Sequence, residues 1–574
     1  MTHLQRFLLT IALTIFGILS FASPSPAQIV GGQWETSWKI NGLAAYDFLG
    51  TSVSGAGDVD GDGFADVIVG AFAADPGGIQ DAGVAYVTSG STGQLLWRFS
   101  GQNRDDRLGW SVSDAGDVNG DGHADLIVGA YGADPGGTTN AGSALVYSGA
   151  NGQLLWQFDG ETSNDFFGWS VSGAGDVDGD GLADLIIGAN WANPSGRFSA
   201  GSAYVYSGRT GLLLWQFDGE APGDRLGVSV ARAGDVDGDG FADLIIGADD
   251  AKPGGLTAAG SAYVFSGATG LVLWRFNGLH SFDKLGTSVS TAGDVNGDGF
   301  ADLVVGALQA DPHGLGNAGS AYVYSGASGQ LIWQFDGQAA GDYLGESVSN
   351  AGDVDKDGFA DVFLGASKAI GSGGVSSGSA YVYSGSTGLL LTQFDGQSLG
   401  DNFGISVSGA DDINGDGHLD FIVGAENADP AGLDRAGSAY VFSLNPFLEA
   451  SSNQISASAG ELLSMDIDFP VTEIGQSYFL RGSATGIGPW SFLGSVVPLT
   501  PDRLTERMAT NPPPMFQGIE GTLDTAGDAI ATIDVPPGAW TQLVGRSLWF
   551  AAYTLHPGPV IGRVSVAVAV EVLP

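Results

Sequence analysis

The sequence predicts an all-β chain, a seven-bladed β-propeller followed by a small β-sandwich. Three observations carry that expectation: one unit recurs seven times, each unit holds four strand-like segments, and the two ends of the repeated region are incomplete in complementary ways. Asp58, Asp117, Asp176, Asp235, Asp294, Asp353 and Asp412 open the same pattern, always 59 residues apart. In the third copy, WSVSGAG alternates polar and apolar residues, and LADLIIGA is the continuous apolar run of a buried strand. AYVYSG and LLLWQFDG are aromatic and aliphatic between Gly-containing turns. No window has helical periodicity. Short four-stranded units of this kind bury their faces only against neighbouring copies, which is the propeller arrangement.

The seam distinguishes a closed ring from an open solenoid. Trp97, Trp156, Trp215, Trp274 and Trp333 mark the fourth strand of the first five copies, with Thr392 in that slot of the sixth. The seventh copy stops after GSAYVFSLNP and has no fourth strand, whereas Trp38 lies one period before Trp97 without a blade of its own. Residues about 33 to 42 are therefore expected to complete blade seven, and closure removes exposed sheet edges. The propeller is placed at 28–447. Beyond it the period ends, and alternating runs such as LLSMDIDF, AIATIDV and SLWFAAYTL between Gly/Pro turns predict the sandwich over 448–574.

The chain has 574 residues, 95 of them Gly, no Cys, and 64 acidic against 20 basic side chains, a formal net charge of -44. Such a chain repels nucleic acid and anionic membrane surfaces and attracts cations. Without Cys it has no disulfide, thiolate zinc site, Cys nucleophile or lipid-anchor cysteine. Residues 1–27 read as a secretory signal, with Arg6, an apolar run from Leu8 to Phe21, and Ser25 and Ala27 before the cleavage point. That run of about 14 residues is shorter than the ~20 a membrane span needs. The mature chain is expected to be secreted or held at the cell surface or in the periplasm, monomeric, without a transmembrane segment.

Each copy carries Asp-x-Asp/Asn-x-Asp-Gly-x-x-Asp. Oxygen donors at positions one, three and five converge on a hard cation, Gly at six permits the turn, the carbonyl of position seven joins, and Asp at nine closes the site. The sets are Asp58, Asp60, Asp62, Phe64 and Asp66; Asp117, Asn119, Asp121, His123 and Asp125; Asp176, Asp178, Asp180, Leu182 and Asp184; and Asp235, Asp237, Asp239, Phe241 and Asp243. The later copies supply Asp294, Asn296, Asp298, Phe300 and Asp302; Asp353, Asp355, Asp357, Phe359 and Asp361; and Asp412, Asn414, Asp416, His418 and Asp420. An EF-hand needs Glu at position twelve and a following helix, but position twelve is Val69 in the first copy, inside an apolar run. One copy alone would be an ordinary Asp/Gly turn. Seven in phase predict about seven Ca²⁺ ions, one per blade, in β-hairpins. Lys356 replaces Gly at position four of copy six, which supplies no side-chain ligand.

The pairs Leu49-Gly50, Leu108-Gly109, Phe167-Gly168, Leu226-Gly227, Leu285-Gly286, Leu344-Gly345 and Phe403-Gly404, followed by the metal loop and in most copies by VGA or IGA, resemble FG-GAP repeats. These are the units of the integrin α-subunit seven-bladed propeller and of many exported bacterial proteins. The resemblance covers residues about 33 to 445 and implies adhesion or recognition rather than chemistry. In the family not every blade carries metal; here every copy keeps the loop, which is closer to the exported bacterial branch.

Up-and-down blades put the metal loops on one face and the more varied two-to-three and inter-blade loops on the other. Aromatic and basic residues there, above all Tyr131, Trp191, Arg197 and Phe198, are the candidate surface for an extracellular protein or glycan, since Trp and Arg anchor interfaces and aromatic faces stack on sugars. Read without a ligand, they are scattered surface residues. Catalytic readings are weaker. The six His residues do not cluster with a nucleophile, and Gly374–Gly378 fits G-x-S-x-G without a following helix. The phrase TGLLLWQF resembles the repeat of quinoprotein dehydrogenases, which typically have eight blades and often a vicinal Cys pair. A non-catalytic module is expected, with a quinoprotein-like dehydrogenase or carbohydrate-active hydrolase as the enzymatic alternative.

Overall fold

Four antiparallel strands in chain order make each blade; in blade one they are Leu49–Gly57, Asp66–Ala71, Val84–Thr88 and Leu95–Ser100. The computed structural model describes residues 32–371 and 373–446 and, beyond them, separate stretches between 448 and 573; the expected export signal at 1–27 lies outside the described residues. The second strand is buried along its whole length in every blade. Its uninterrupted apolar run follows from strand geometry, because successive side chains point to opposite faces and both faces meet another blade. Val67 and Val69 enter the core shared with blade seven, and Ile68 enters the core shared with blade two. Gly70 in the same strand is required by proximity: a Cβ there would lie 1.8 Å from the carbonyl oxygen of Gly109 in the next blade.

The first strands line a central channel and pack on one another around the ring. The Ser of the repeated Ser-Val pair ties them together. Ser52 Oγ accepts the Val112 N–H at 3.0 Å, Ser111 the Val171 N–H at 3.1 Å, Ser288 the Val348 N–H at 3.1 Å, Ser347 the Val407 N–H at 3.0 Å and Ser406 the Val53 N–H at 3.0 Å. Ser170 and Ser229 instead donate to the carbonyls of Gly227 and Gly286, also in the following blade. Inner-strand backbone groups without a ladder partner are satisfied in this way.

The ring closes as the sequence indicates. Gly32–Asn41 runs antiparallel to Ser438–Pro446 as the outer strand of blade seven, with Trp38 opposite Val441 as Trp97 is opposite Val87 in blade one. The fourth-strand Trp reaches across the blade boundary. Trp97 Nε1 donates to the Gly149 carbonyl at 2.8 Å, and Trp156, Trp215, Trp274 and Trp333 repeat the bond to Gly208, Gly267, Gly326 and Gly385. These acceptors sit in the turn between the third and fourth strands of the next blade. Blade seven has no such turn, because its fourth strand comes from the other end of the chain, so the carbonyl that accepts from Trp in the other blades has no counterpart opposite Thr392. Trp34 occupies the region instead, against Phe394 and Phe421.

Between the second and third strands, six blades carry a three-residue 3-10 turn opened by Pro, the first being Pro76–Gly78. Sequence periodicity is blind to such single turns. Blade six lacks this turn among the described residues.

Beyond the propeller, Leu448–Ala450, Glu461–Asp468, Asp528–Val535 and Phe516–Gln517 form one sheet. Gln454–Ser456, Val568–Leu573, Ser547–His556, Ser477–Ser483 and Glu520–Thr522 form another, with Val560–Val564 paired to Ser547–His556.

Candidate metal centre

Each Asp loop connects the first and second strands and is shaped by its own backbone. In blade one the Gly61 N–H donates to Asp58 Oδ1 at 2.7 Å and the Gly63 N–H to Asp58 Oδ2 at 3.0 Å. The Asp62 N–H donates to Asp60 Oδ1 at 3.1 Å and the Phe64 N–H to Asp62 Oδ1 at 2.9 Å. This staircase of Asx turns recurs in the second, third, fourth, fifth and seventh copies, at Asp117, Asp176, Asp235, Asp294 and Asp412. It folds the loop so that carboxylates face one another.

Oxygens of Asp58, Asp60 and Asp62 lie within 4.8 Å of each other, as do those of Asp176, Asp178 and Asp184, of Asp235, Asp237 and Asp239, and of Asp353, Asp355 and Asp357. In the other three loops Asn119, Asn296 and Asn414 bring an amide oxygen to the second position. The donor set is oxygen only, with several anionic members per loop, and such a set fits a hard divalent cation.

The carboxylate at position nine also holds the blade together. Asp66 is fully buried, its Oδ2 accepting the Val59 N–H at 2.8 Å and its Oδ1 the Gly90 N–H at 2.9 Å. Gly90 belongs to the turn between strands three and four, so one side chain pins both hairpins on the metal-loop face. The same pair of bonds is made by Asp125, Asp184, Asp243, Asp302 and Asp361. Blade seven has a strand where that turn would be, so the buried Asp420 Oδ1 has no turn N–H to accept and faces the Ser443 hydroxyl of that strand instead. Burial pushes these carboxyls up, to about 6 at Asp66, Asp125, Asp184, Asp243 and Asp302, to about 7 at Asp420, and to about 8 at Asp361, where Asp355 adds repulsion.

The sequence assigned position seven only a backbone carbonyl and position four no side-chain ligand. The structure joins them. The side chain at position seven packs on the position-four Gly of the preceding loop: His123 on Gly61, Leu182 on Gly120, Phe241 on Gly179, Phe300 on Gly238, Phe359 on Gly297 and Phe64 on Gly415. A Cβ at those glycines would meet the packed side chain at 2.2–3.4 Å, so six of the seven loops lock onto the next one in the same way. The exception is Lys356, at φ 56, which stands beside His418 and near Asp353, Asp412 and Asp416. Burial first, and then the Lys356 charge, holds His418 down at about 4.

On the opposite face, the sequence-predicted surface residues separate into support and display. Tyr131 is only 6% exposed, packed at 5.0 Å from both Trp110 and Trp169 and hydrogen-bonded by Arg107. It belongs to an aromatic belt running from Phe48 and Phe72 through Trp110, Trp169 and Phe166 to Trp191. Trp191 and Phe198 are presented to solvent, at 39% and 71% exposure. Arg197, next to Phe198 in sequence, is fixed by its Nε donating to the Gly219 carbonyl at 3.0 Å and its Nη2 3.7 Å from Asp218, whereas the guanidinium over the Trp191 ring, 5.7 Å from its centroid, is that of Arg225.

Six segments of the chain, 49–88, 109–147, 167–206, 226–265, 285–324 and 403–442, match the FG-GAP repeat. The copy outside these segments is the sixth, which carries Lys356 and lacks the 3-10 turn. The chain is similar to integrin alpha-V of Gallus gallus, 31% identical over 216 residues, and to integrin alpha-5 of Xenopus laevis, 33% identical over 239 residues. These matches cover 35% and 38% of this chain and 20% and 21% of the relatives, so the chain spans about a fifth of their length. Among the described residues no helix is long and apolar enough to cross a membrane.

Proposed function

The chain is an FG-GAP repeat protein with an integrin-α-like propeller, and from that premise we propose that it is an exported, non-catalytic recognition module. Calcium in the seven Asp loops is mainly structural, and the ligand is an extracellular protein or glycan. The observation that carries this reading is the division of labour between the faces. The Asp loops are tied into their blades and to each other by buried carboxylates and packed side chains, as integral framework. The other face presents Trp191 and Phe198 on one loop, with Arg197 held between them in sequence and Trp191 packed on Phe166 at the end of the aromatic belt. Residues 448–574, with their two sheets, are read as a separate β-sandwich appended to this module.

The test is binding of the calcium-loaded protein to arrayed glycans and immobilised extracellular proteins, with Trp191→Ala/Phe198→Ala as the comparison. Binding that disappears in the double variant while its melting temperature stays unchanged supports the assignment. Equal binding by both proteins sinks it.

A further inference from the structure

The seven copies act as controls for one another, and they disagree at one place inside the ring. At the metal-loop end of the channel, the residue immediately before the conserved Ala at the end of each first strand is Gly55, Asp114, Gly173, Arg232, Thr291, Asn350 or Gly409. Neighbouring positions barely vary. All seven residues or their strand neighbours line one cavity of about 230 Å³, together with the ring of Ser54, Ser113, Ser172, Ser290, Ser349 and Ser408. A requirement of the fold would be the same in every blade. This position is where side chains of different chemistry are gathered.

Two further departures lie at the same rim. The last residue of the first strand is Gly in six copies, with φ between 67 and 80, because a Cβ there would come within 2.3–2.7 Å of a side chain of the next blade. In blade seven it is Asp411, held at φ 55, a conformation that disfavours a residue with a side chain. Blade seven also has Leu419 where the other copies have Ala, and Leu419 lines the cavity. Across the channel, Arg232 of blade four passes the glycine of blade three and brings Nη1 to 4.0 Å from Asp114 Oδ2 in blade two. Asp114 is itself fixed, its Oδ1 accepting the Gly116 N–H at 2.7 Å. Arg232 is thus oriented by one carboxylate through one of its nitrogens, and Asp411, which lines the same cavity, has no ion-pair partner among the described residues.

We propose that this end of the channel binds a small zwitterion of amino-acid size, its carboxylate met by Arg232 and its ammonium by Asp411. Asp114 positions Arg232, and Thr291, Asn350 and the serine ring supply neutral hydrogen bonds. The size follows from the volume, which lies below the roughly 300–1,000 Å³ of sites for larger organic ligands. Opposite charges on separate blades select a ligand charged at both ends over one charged at one end. This site is distinct from the aromatic face and stands or falls separately from it.

The experiment is calorimetric titration of the calcium-saturated full chain with glycine, L-alanine, L-serine and L-glutamate, and with acetate, methylammonium and glycerol as one-ended controls. At least one amino acid should bind, one per chain, and the one-ended controls should not. Arg232→Gln and Asp411→Gly should each weaken binding about tenfold or more. Asp411→Gly restores the residue of the other six copies, so its melting temperature should be unchanged or higher and loss of binding there cannot come from misfolding. Absence of binding by every amino acid, equal binding by the one-ended probes, or binding that survives both substitutions would overturn the proposal.

Discussion

Trp34 and Phe394 meet edge to face, ring centroids 5.5 Å apart, joining the N-terminal strand to the outer strand of blade six. The contact explains two anomalies at once. Blade six has Thr392 where five other blades have a Trp that bonds to the next blade's turn, and blade seven has no such turn to bond to. The N-terminal strand that replaces the turn brings its own Trp.

Two substitutions separate this account from simple repeat drift. Trp156→Ala removes the bond to Gly208 and half-buried ring packing and should cost about 2–4 kcal/mol, read by chemical denaturation. Thr392→Trp restores the repeat pattern yet should also destabilise, since the space is taken and no acceptor exists. A stabilised T392W protein would contradict the packing described.

Deleting residues 28–41 should expose the edge of Ser438–Pro446 and the core beneath it. An unpaired edge of this length is an aggregation site. The truncated chain should show a lower melting temperature and self-association in size-exclusion chromatography, and supplying the strand as a free peptide should reverse both.

Calcium removal should lower the melting temperature strongly, because each site held at about a hundred times its Kd contributes about 2.7 kcal/mol. Bound calcium measured on the same sample should approach seven per chain. Near-zero metal with no shift on chelation would reduce the loops to ordinary turns.

The pH dependence should invert with metal. Burial raises the position-nine carboxyls above their ordinary 3.8, to about 6 for Asp66 and about 8 for Asp361, so the folded metal-free chain binds more protons than the unfolded one. Their contribution is complete below about pH 4 and is lost as pH rises through 6 to 8. Metal-free protein should therefore melt higher at pH 5 than at pH 8. With calcium saturating, protons compete for the same oxygens and the order should reverse.

Much of this was legible in the sequence because the period is strict. Copy number, strand order, the closing strand and the Asp loops all follow from comparing positions 59 residues apart. What escaped were relationships that cross blade boundaries. Nothing local in DVDGDGFAD indicates that Phe64 lies on Gly415, or that the Ser of Ser-Val satisfies the next blade's backbone. Tyr131 was placed among exposed recognition residues, but its loop position does not reveal that Trp110 and Trp169, from the turns that lead into two inner strands, cover it. The variable channel position was visible as a column of unlike residues, and only the ring geometry brings that column to one point.

The bond from Lys39 Nζ to Tyr440 Oη spans 401 residues. Contacts within and between blades one to six form over short stretches of chain, and only those that blade seven makes with the N-terminal strand and with blade one span most of it. The seam alone must wait for the last repeat, and it carries the largest loop-closure cost in the molecule. The strand that precedes blade one in the chain is the one the ring uses last. Until it docks, six blades are complete and the seventh is a three-stranded sheet with its outer edge open.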